Sequence, residues 1–121
     1  MATLLVNTGK AVVTNRIKGS GTEPYYVAFG TGAGTTAATD TTLFTEVQSR
    51  VVGTSTQQTT STTSDTYQVV GTQTAAGSLS VTNAGLFDAA SSGNLFVKGD
   101  FSTISLTSGD SIQFTIKVQF S

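Results

Sequence analysis

From Asp110 to Phe120 apolar and polar side chains alternate without a break. Ile112, Phe114, Ile116, Val118 and Phe120 fall on one side, and Gln113, Thr115, Lys117 and Gln119 on the other. A period of two is the spacing of a β-strand with one covered and one wet face. Large apolar side chains contribute roughly 1.5–3 kcal/mol each when fully covered, so this face is the predicted centre of the core, with Phe114 and Ile116 at its middle. A strand followed only by Ser121 is expected inside a sheet rather than on a free edge.

Shorter pieces of the same pattern lie upstream. Tyr25 to Phe29 reads as a strand with Tyr25, Val27 and Phe29 on one face and Tyr26 and Ala28 on the other. Leu79-Ser80-Val81-Thr82 and Asn83-Ala84-Gly85-Leu86-Phe87-Asp88 form another, in which Gly85 suggests a bulge or bend. Leu95 to Lys98 is a short strand, Gly99-Asp100 a turn, Phe101 to Leu106 an irregular strand, and Ser108-Gly109-Asp110 the last turn. Short strands divided by turn signals every 8–12 residues or so indicate an antiparallel all-β sandwich, jelly-roll-like, in a single domain over residues 1–121.

The first 20 residues break the pattern and read as an N-terminal arm packed on the sandwich. Asn7 can cap a short helix through Ile17, with Val13 and Ile17 one turn apart and Gly19 ending it. Gly9, Val12, Val13 and Thr14 are poor helix formers, so a strand is the alternative. Gly19-Ser20-Gly21-Thr22-Glu23-Pro24 is then a loop.

Between Val51-Val52 and Tyr67-Gln68-Val69-Val70 lies a polar stretch without Pro and with Gly53 as its single glycine. Threonine favours strands, so the segment from about Gln48 to Ala75 reads as a long polar β-hairpin turning near Thr62 to Asp65; a loop is the alternative. Polar residues on both faces leave its register weakly specified, and a neighbouring subunit is expected to order it. The residues that would meet that neighbour are Thr54, Thr56, Gln58, Thr60, Thr62 and Thr66.

Composition narrows the function. Cysteine and histidine are absent, which removes thiolate and imidazole ligands and the commonest proton-transfer residue. Charged residues make up 11% of the chain against about a quarter in ordinary soluble domains, and Ser with Thr supply roughly a third. The six basic and seven acidic residues are scattered singly, so no patch is built for nucleic acid. No apolar run approaches the roughly 20 residues of a membrane span. The start Met1-Ala2-Thr3-Leu4-Leu5-Val6 has neither a basic region nor a cleavage site, so synthesis in a cytoplasm without secretion is expected. No enzyme activity, metal or cofactor is expected.

Three features could carry chemistry. Gly30-Thr31-Gly32-Ala33-Gly34 follows a strand as a dinucleotide loop does, but Thr35 stands where the third glycine should fall and no βαβ unit follows, so a tight turn is the better reading. Thr39 or Asp40 can cap a helical turn over Thr41-Thr42-Leu43-Phe44, leaving Glu46 and Arg50 to pair and pin the loop, with Leu43, Phe44 and Val47 plugging the core. Asp88, Asp100 and Asp110 sit at predicted strand ends, where turn formation explains aspartate better than a three-carboxylate metal site. Without Trp and with few Tyr, a sugar-stacking cleft is not expected.

The run Val27-Ala28-Phe29-Gly30-Thr31-Gly32-Ala33-Gly34-Thr35-Thr36-Ala37-Ala38-Thr39-Asp40-Thr41-Thr42-Leu43-Phe44-Thr45-Glu46-Val47-Gln48-Ser49-Arg50, with Asn83-Ala84-Gly85-Leu86-Phe87-Asp88 and the closing Gly109-Asp110 strand, resembles small virion proteins of tailed bacteriophages. The resemblance covers most of the chain from Tyr25 onward. It implies a virion structural protein of capsid-decoration, tail-fibre or baseplate type. The sequence reading favours a decoration or cement protein on the outer capsid surface, bound to the major capsid protein and to copies of itself in a homo-oligomer such as a trimer. A tail-fibre or baseplate module is the runner-up, and an enzyme or carbohydrate-binding module comes third.

Overall fold

The structure is a computed structural model that describes residues 2–121. In chain order it contains β1 (Ala2–Leu5), α1 (Asn7–Ile17), β2 (Tyr26–Gly30), β3 (Glu46–Val52), β4 (Thr54–Gln58), β5 (Thr66–Thr74), β6 (Leu79–Phe87), β7 (Leu95–Leu106) and β8 (Ser111–Gln119). Two antiparallel sheets result, a five-stranded one in the order β1-β7-β6-β2-β3 and a three-stranded one in the order β4-β5-β8. The all-β sandwich read from the sequence is the fold.

Residues directly opposite one another in a ladder share a face. Val27 stands opposite Leu86, and Leu86 and Leu5 each stand opposite Val97. With Val69 of β5, Val118 of β8, Val12 of α1 and Phe96 they form one buried cluster between the sheets. A second inner cluster joins Phe29, Val81, Ala84 and Leu106 to Ala75, with Phe101, Ile112 and Phe114 packed against it. The outer face of the five-stranded sheet is covered as well, since Ala28, Phe87 and Leu95 bury with Val6 and Leu43. Burial on both faces explains why Val27-Ala28-Phe29 and Leu95-Phe96-Val97 are continuous apolar runs rather than alternating ones.

The helix has the expected bounds but a different cause. Its N-cap is Val6, in extended backbone and without a side-chain cap, so Asn7 does not cap it. Gly9 and Val12 are the buried positions, whereas Ile17 is 81% exposed. β1, which the sequence did not single out, pairs with β7 from Leu5 opposite Val97 to Ala2 opposite Asp100. The arm is thus part of the sandwich.

Four expectations are corrected. Gly99-Asp100 is no turn, because β7 runs through it as one 12-residue strand. Gly85 is no bulge: the β6–β7 register shifts between Val81 and Asn83 and between Leu86 and Phe87 instead. Thr41–Phe44 form no helical turn; the chain turns at Ala37–Asp40, where the Asp40 amide donates to the Ala37 carbonyl at 3.0 Å. β8 is an edge strand. Its alternation is real, but five strands facing three leave Phe114 and Ile116 half-buried and Phe120 46% exposed.

Candidate functional site

The residues that carry the phage resemblance meet in space. The connection between β2 and β3 folds back on itself, with the Thr31 amide donating to the Thr45 carbonyl at 3.1 Å and the Gly32 amide to the Phe44 carbonyl at 2.9 Å. Asn83 is fully buried beneath it. Its Oδ1 accepts from the Phe44 amide at 3.0 Å and its Nδ2 donates to the Phe44 carbonyl at 3.0 Å, so one side chain replaces a ladder pair. Thr82 donates to the Gly32 carbonyl beside it. Thr45, a β-branched residue, is held at φ 53°, a conformation that persists only where surrounding bonds fix it.

Gly30 and Gly85 make room for this clamp. A Cβ on Gly30 would lie 2.3 Å from the Phe44 carbonyl oxygen, and one on Gly85 would lie 2.5 Å from that of Val97. Both obstacles are backbone. Gly30→Ala and Gly85→Ala should each cost about 1–3 kcal/mol through forced backbone shifts. Chemical denaturation checks this against Gly77→Ala, where a Cβ meets nothing within 4 Å.

The clamp closes over a buried cation. Lys98, on the outer face of β7, is 1% exposed. Its Nζ donates to Asp40 Oδ2 and to the Thr42 carbonyl, each at 2.9 Å, and lies 3.2 Å from the centroid of the Phe44 ring. The Ala37 amide, then Lys98, hold the Asp40 carboxyl below its ordinary value. The small-residue run Ala33–Thr42 is therefore a strap, tied down at Asp40, Thr42 and Phe44.

Glu46 and Arg50 do pair, through a device invisible in the sequence. Between the Val27–Val51 and Phe29–Val47 pairs β3 has two more residues than β2, and Gln48 takes φ 62°. The bulge shortens β3 so that Arg50 Nε reaches Glu46 Oε2 at 2.8 Å and Nη2 reaches Oε1 at 3.1 Å. Arg50 Nη1 donates to the Ala89 and Ser92 carbonyls at 2.8 and 2.7 Å, and its guanidinium stacks on Phe87 at 3.5 Å. The loop it pins is the one between β6 and β7. Gln73, buried on β5, reaches across the sandwich to the carbonyls of Val27 and Ser49 at 3.1 and 3.2 Å. Gln48 bonds the Thr74 carbonyl and the Ala76 amide.

The polar hairpin is β4 and β5, with Gln58 opposite Thr66; β3 belongs to the other sheet. Thr54, Thr56, Gln58, Thr60 and Thr62 are exposed. Thr66 is not available to a partner: it is 2% exposed and its hydroxyl bonds Thr60 and Asp65. The expectation that the hairpin takes its register from a neighbour fails for β5, which pairs with β8 from Thr66 opposite Gln119 to Thr74 opposite Ser111. Asp65 orders the turn by accepting the amides of Thr60, Ser61 and Thr62.

Asp88, Asp100 and Asp110 do not converge. Asp88 accepts from Asn94, Asp100 from the Thr36 amide, and Asp110 from Thr107. Among the described residues no group of three His, Cys, Asp or Glu is placed to hold a metal ion, and no helix is long and apolar enough to cross a membrane. Amides and hydroxyls hold Asp65, Asp100 and Asp110, like Asp40, below the ordinary value of 3.8. For Asp65 the Thr62 and Thr60 amides are the main cause, for Asp100 it is Thr36, and for Asp110 Thr107. A carboxylate whose folded pKa is lowered stabilises fully above its unfolded pKa and loses that contribution as pH falls through the folded one. Thermal stability should therefore be flat from about pH 7 to pH 5 and fall progressively below about pH 4. A pH series of melting temperatures reads this directly, and the drop should be smaller in Asp65→Asn.

Two surface depressions are lined by aromatic side chains. One, of about 390 Å³, opens between β8 and the β1–β7 side and is lined by Phe101, Phe114 and Ile116. The other, of about 310 Å³, lies between α1 and Tyr67, Phe96 and Phe120. Burial and Glu23 push the Tyr67 hydroxyl well above its ordinary value, and it stays a donor to Glu23 and to the Pro24 carbonyl. Sequence reasoning missed Asn83, Gln73 and Lys98 as linchpins. The signal for Lys98 was there: a lone cation ending the apolar run Leu95-Phe96-Val97 on a doubly covered strand.

The motif residues thus build one clamp, and the family that matches the chain makes it a structural protein of the tailed-phage virion. Residues 10–118 match the family described as podophage GP4 fiber I protein gp80, and the chain belongs to that family. No curated protein and no solved structure matches it significantly.

Proposed function

We propose that the chain is a non-catalytic structural module of a podophage fibre, acting through protein–protein contacts with other virion proteins and with copies of itself. The family match over residues 10–118 carries this reading, since it takes in nearly the whole sandwich and both halves of the clamp. The geometry supports it: Asp88, Asp100 and Asp110 lie apart, each bonded to amides or hydroxyls of its own surroundings, and Glu46 and Asp40 are tied up by Arg50 and Lys98. The sequence had favoured decoration of the outer capsid surface with the major capsid protein as partner. That placement draws nothing from the family match, and the fibre takes its place. Quantitative mass spectrometry of purified particles tests the difference. A small symmetric set of copies per particle is expected, whereas a copy number comparable with that of the major capsid protein would overturn the fibre reading.

A further inference from the structure

The sandwich has four strand edges, and they are guarded unequally. β3 is bent by its two-residue bulge, with Gln48 in the left-handed region. β1 has four residues. β8 carries Lys117 and borders the apolar groove of Phe101, Phe114 and Ile116. Bulges, shortness and edge lysines are the devices that stop sheets adding strands. β4, one residue longer than β1, has neither bulge nor lysine: Thr54–Gln58 pairs with β5 in unbroken register and contains no charge and no Pro. The uncharged stretch extends from Val51 to Ser64. An edge without charge meets no like charge when it meets itself.

We propose that the outer edge of β4 pairs antiparallel with β4 of a second copy, about a two-fold axis at Thr56. This rests on the fibre reading and names the contact through which copies join. In that register Thr56 faces Thr56 of the other copy, Ser55 faces Gln57 and Thr54 faces Gln58, each a pair able to hydrogen-bond. The two three-stranded sheets become one of six strands. Pairing β4 with β8 of another copy fits worse. Ser55 stands opposite core Val69 in the β4–β5 ladder, so Ser55 and Gln57 are the inward side chains of β4, and they would lie beside the apolar Phe114 and Ile116 of β8. A five-residue ladder buries far less than the ~1,200–2,000 Å² of a stable complex. The contact is weak in dilute protein and is strengthened where a fibre holds copies close together.

The chain has no cysteine, so an introduced one reports contact directly. Under mild oxidation, Thr56→Cys should form a covalent dimer at least tenfold faster than Thr115→Cys, an exposed position in the middle of β8. Adding Thr54→Lys and Gln58→Lys, two exposed positions that would face each other across the pair, to Thr56→Cys should slow dimer formation at least tenfold while leaving the melting temperature unchanged. Equal rates for Thr56→Cys and Thr115→Cys, or insensitivity to the two lysines, would overturn the proposal. A Thr56→Cys protein that stays monomeric, with the chain still at fibre copy number in particles, sinks the pairing alone. A capsid-like copy number with fast Thr56→Cys dimers sinks the fibre reading and leaves the contact standing.

Discussion

Replacing Asp40 with alanine should cost about 3–5 kcal/mol, whereas Lys98→Met should be close to neutral or stabilising. The asymmetry follows from burial. The Lys98 side chain is fully enclosed and that of Asp40 is 21% exposed. Without Asp40 the ammonium keeps only the Thr42 carbonyl and the Phe44 ring, and neither carries the formal charge that offsets desolvation. Methionine has a similar length and no charge, so it fills the channel beneath Phe44 without the ion's desolvation cost. The double variant, Asp40→Ala with Lys98→Met, should recover most of the loss. Urea denaturation of the four proteins forms a complete cycle. Equal losses in both single variants would mean that the pair drives stability rather than holding the strap in one place.

Phe29→Ala should cost about 3–5 kcal/mol, and Phe114→Ala roughly half of that. Phe29 is fully buried on β2, between the sheets. Phe114 packs against the same cluster and meets Phe29 edge-on at 6.1 Å, but it is half-buried and lines the groove beside β8. Sequence periodicity alone put Phe114 at the centre of the core. Gln113→Ala, on the exposed face of the same strand, should be near neutral. Guanidinium denaturation of the three variants gives the order. Phe114→Ala as costly as Phe29→Ala would mean that the groove is closed in solution.

The contrast between these residues marks what a sequence displays. Alternation along β8 fixed which side chains point inward, and the structure keeps that facing from Ile112 to Val118. What alternation cannot carry is how many strands lie across the sandwich, and so how well an inward face is covered. β2 and the first part of β7 were legible as strands because they are apolar. The reason they are apolar on both faces, a strap from Gly30 to Thr45 lying on the outer side, depends on Asn83 and Lys98, which are distant in sequence from the strap they hold. Gly99-Asp100 looked like a turn because glycine and aspartate form turns. Here Gly99 is paired on both sides, opposite Thr3 of β1 and Ala84 of β6, and tertiary pairing overrides the local preference. The Glu46–Arg50 pair is legible from closeness in sequence, but the geometry that joins it is not. Four residues apart on a helix would be neighbours, but here a bulge in β3 brings them together.

Thr66 shows the same limit at the proposed interaction surface. It was grouped with Thr54 to Thr62 because all are hydroxyl residues of one polar stretch, yet Thr66 starts the central strand of its sheet and is buried. Nothing in a run of threonines distinguishes an edge from a centre. That distinction comes from β8, which arrives more than forty residues later and covers one side of β5 only.

The central claim is that this sandwich is a structural part of the fibre, held together by its own clamp and joined to other proteins through its surface. A cryo-EM map of the parent particle tests it most directly. The account predicts that density fitting the two sheets, with the strap closed over Lys98, lies in a fibre and repeats with that fibre's low symmetry. The same density repeating across the capsid lattice would contradict it.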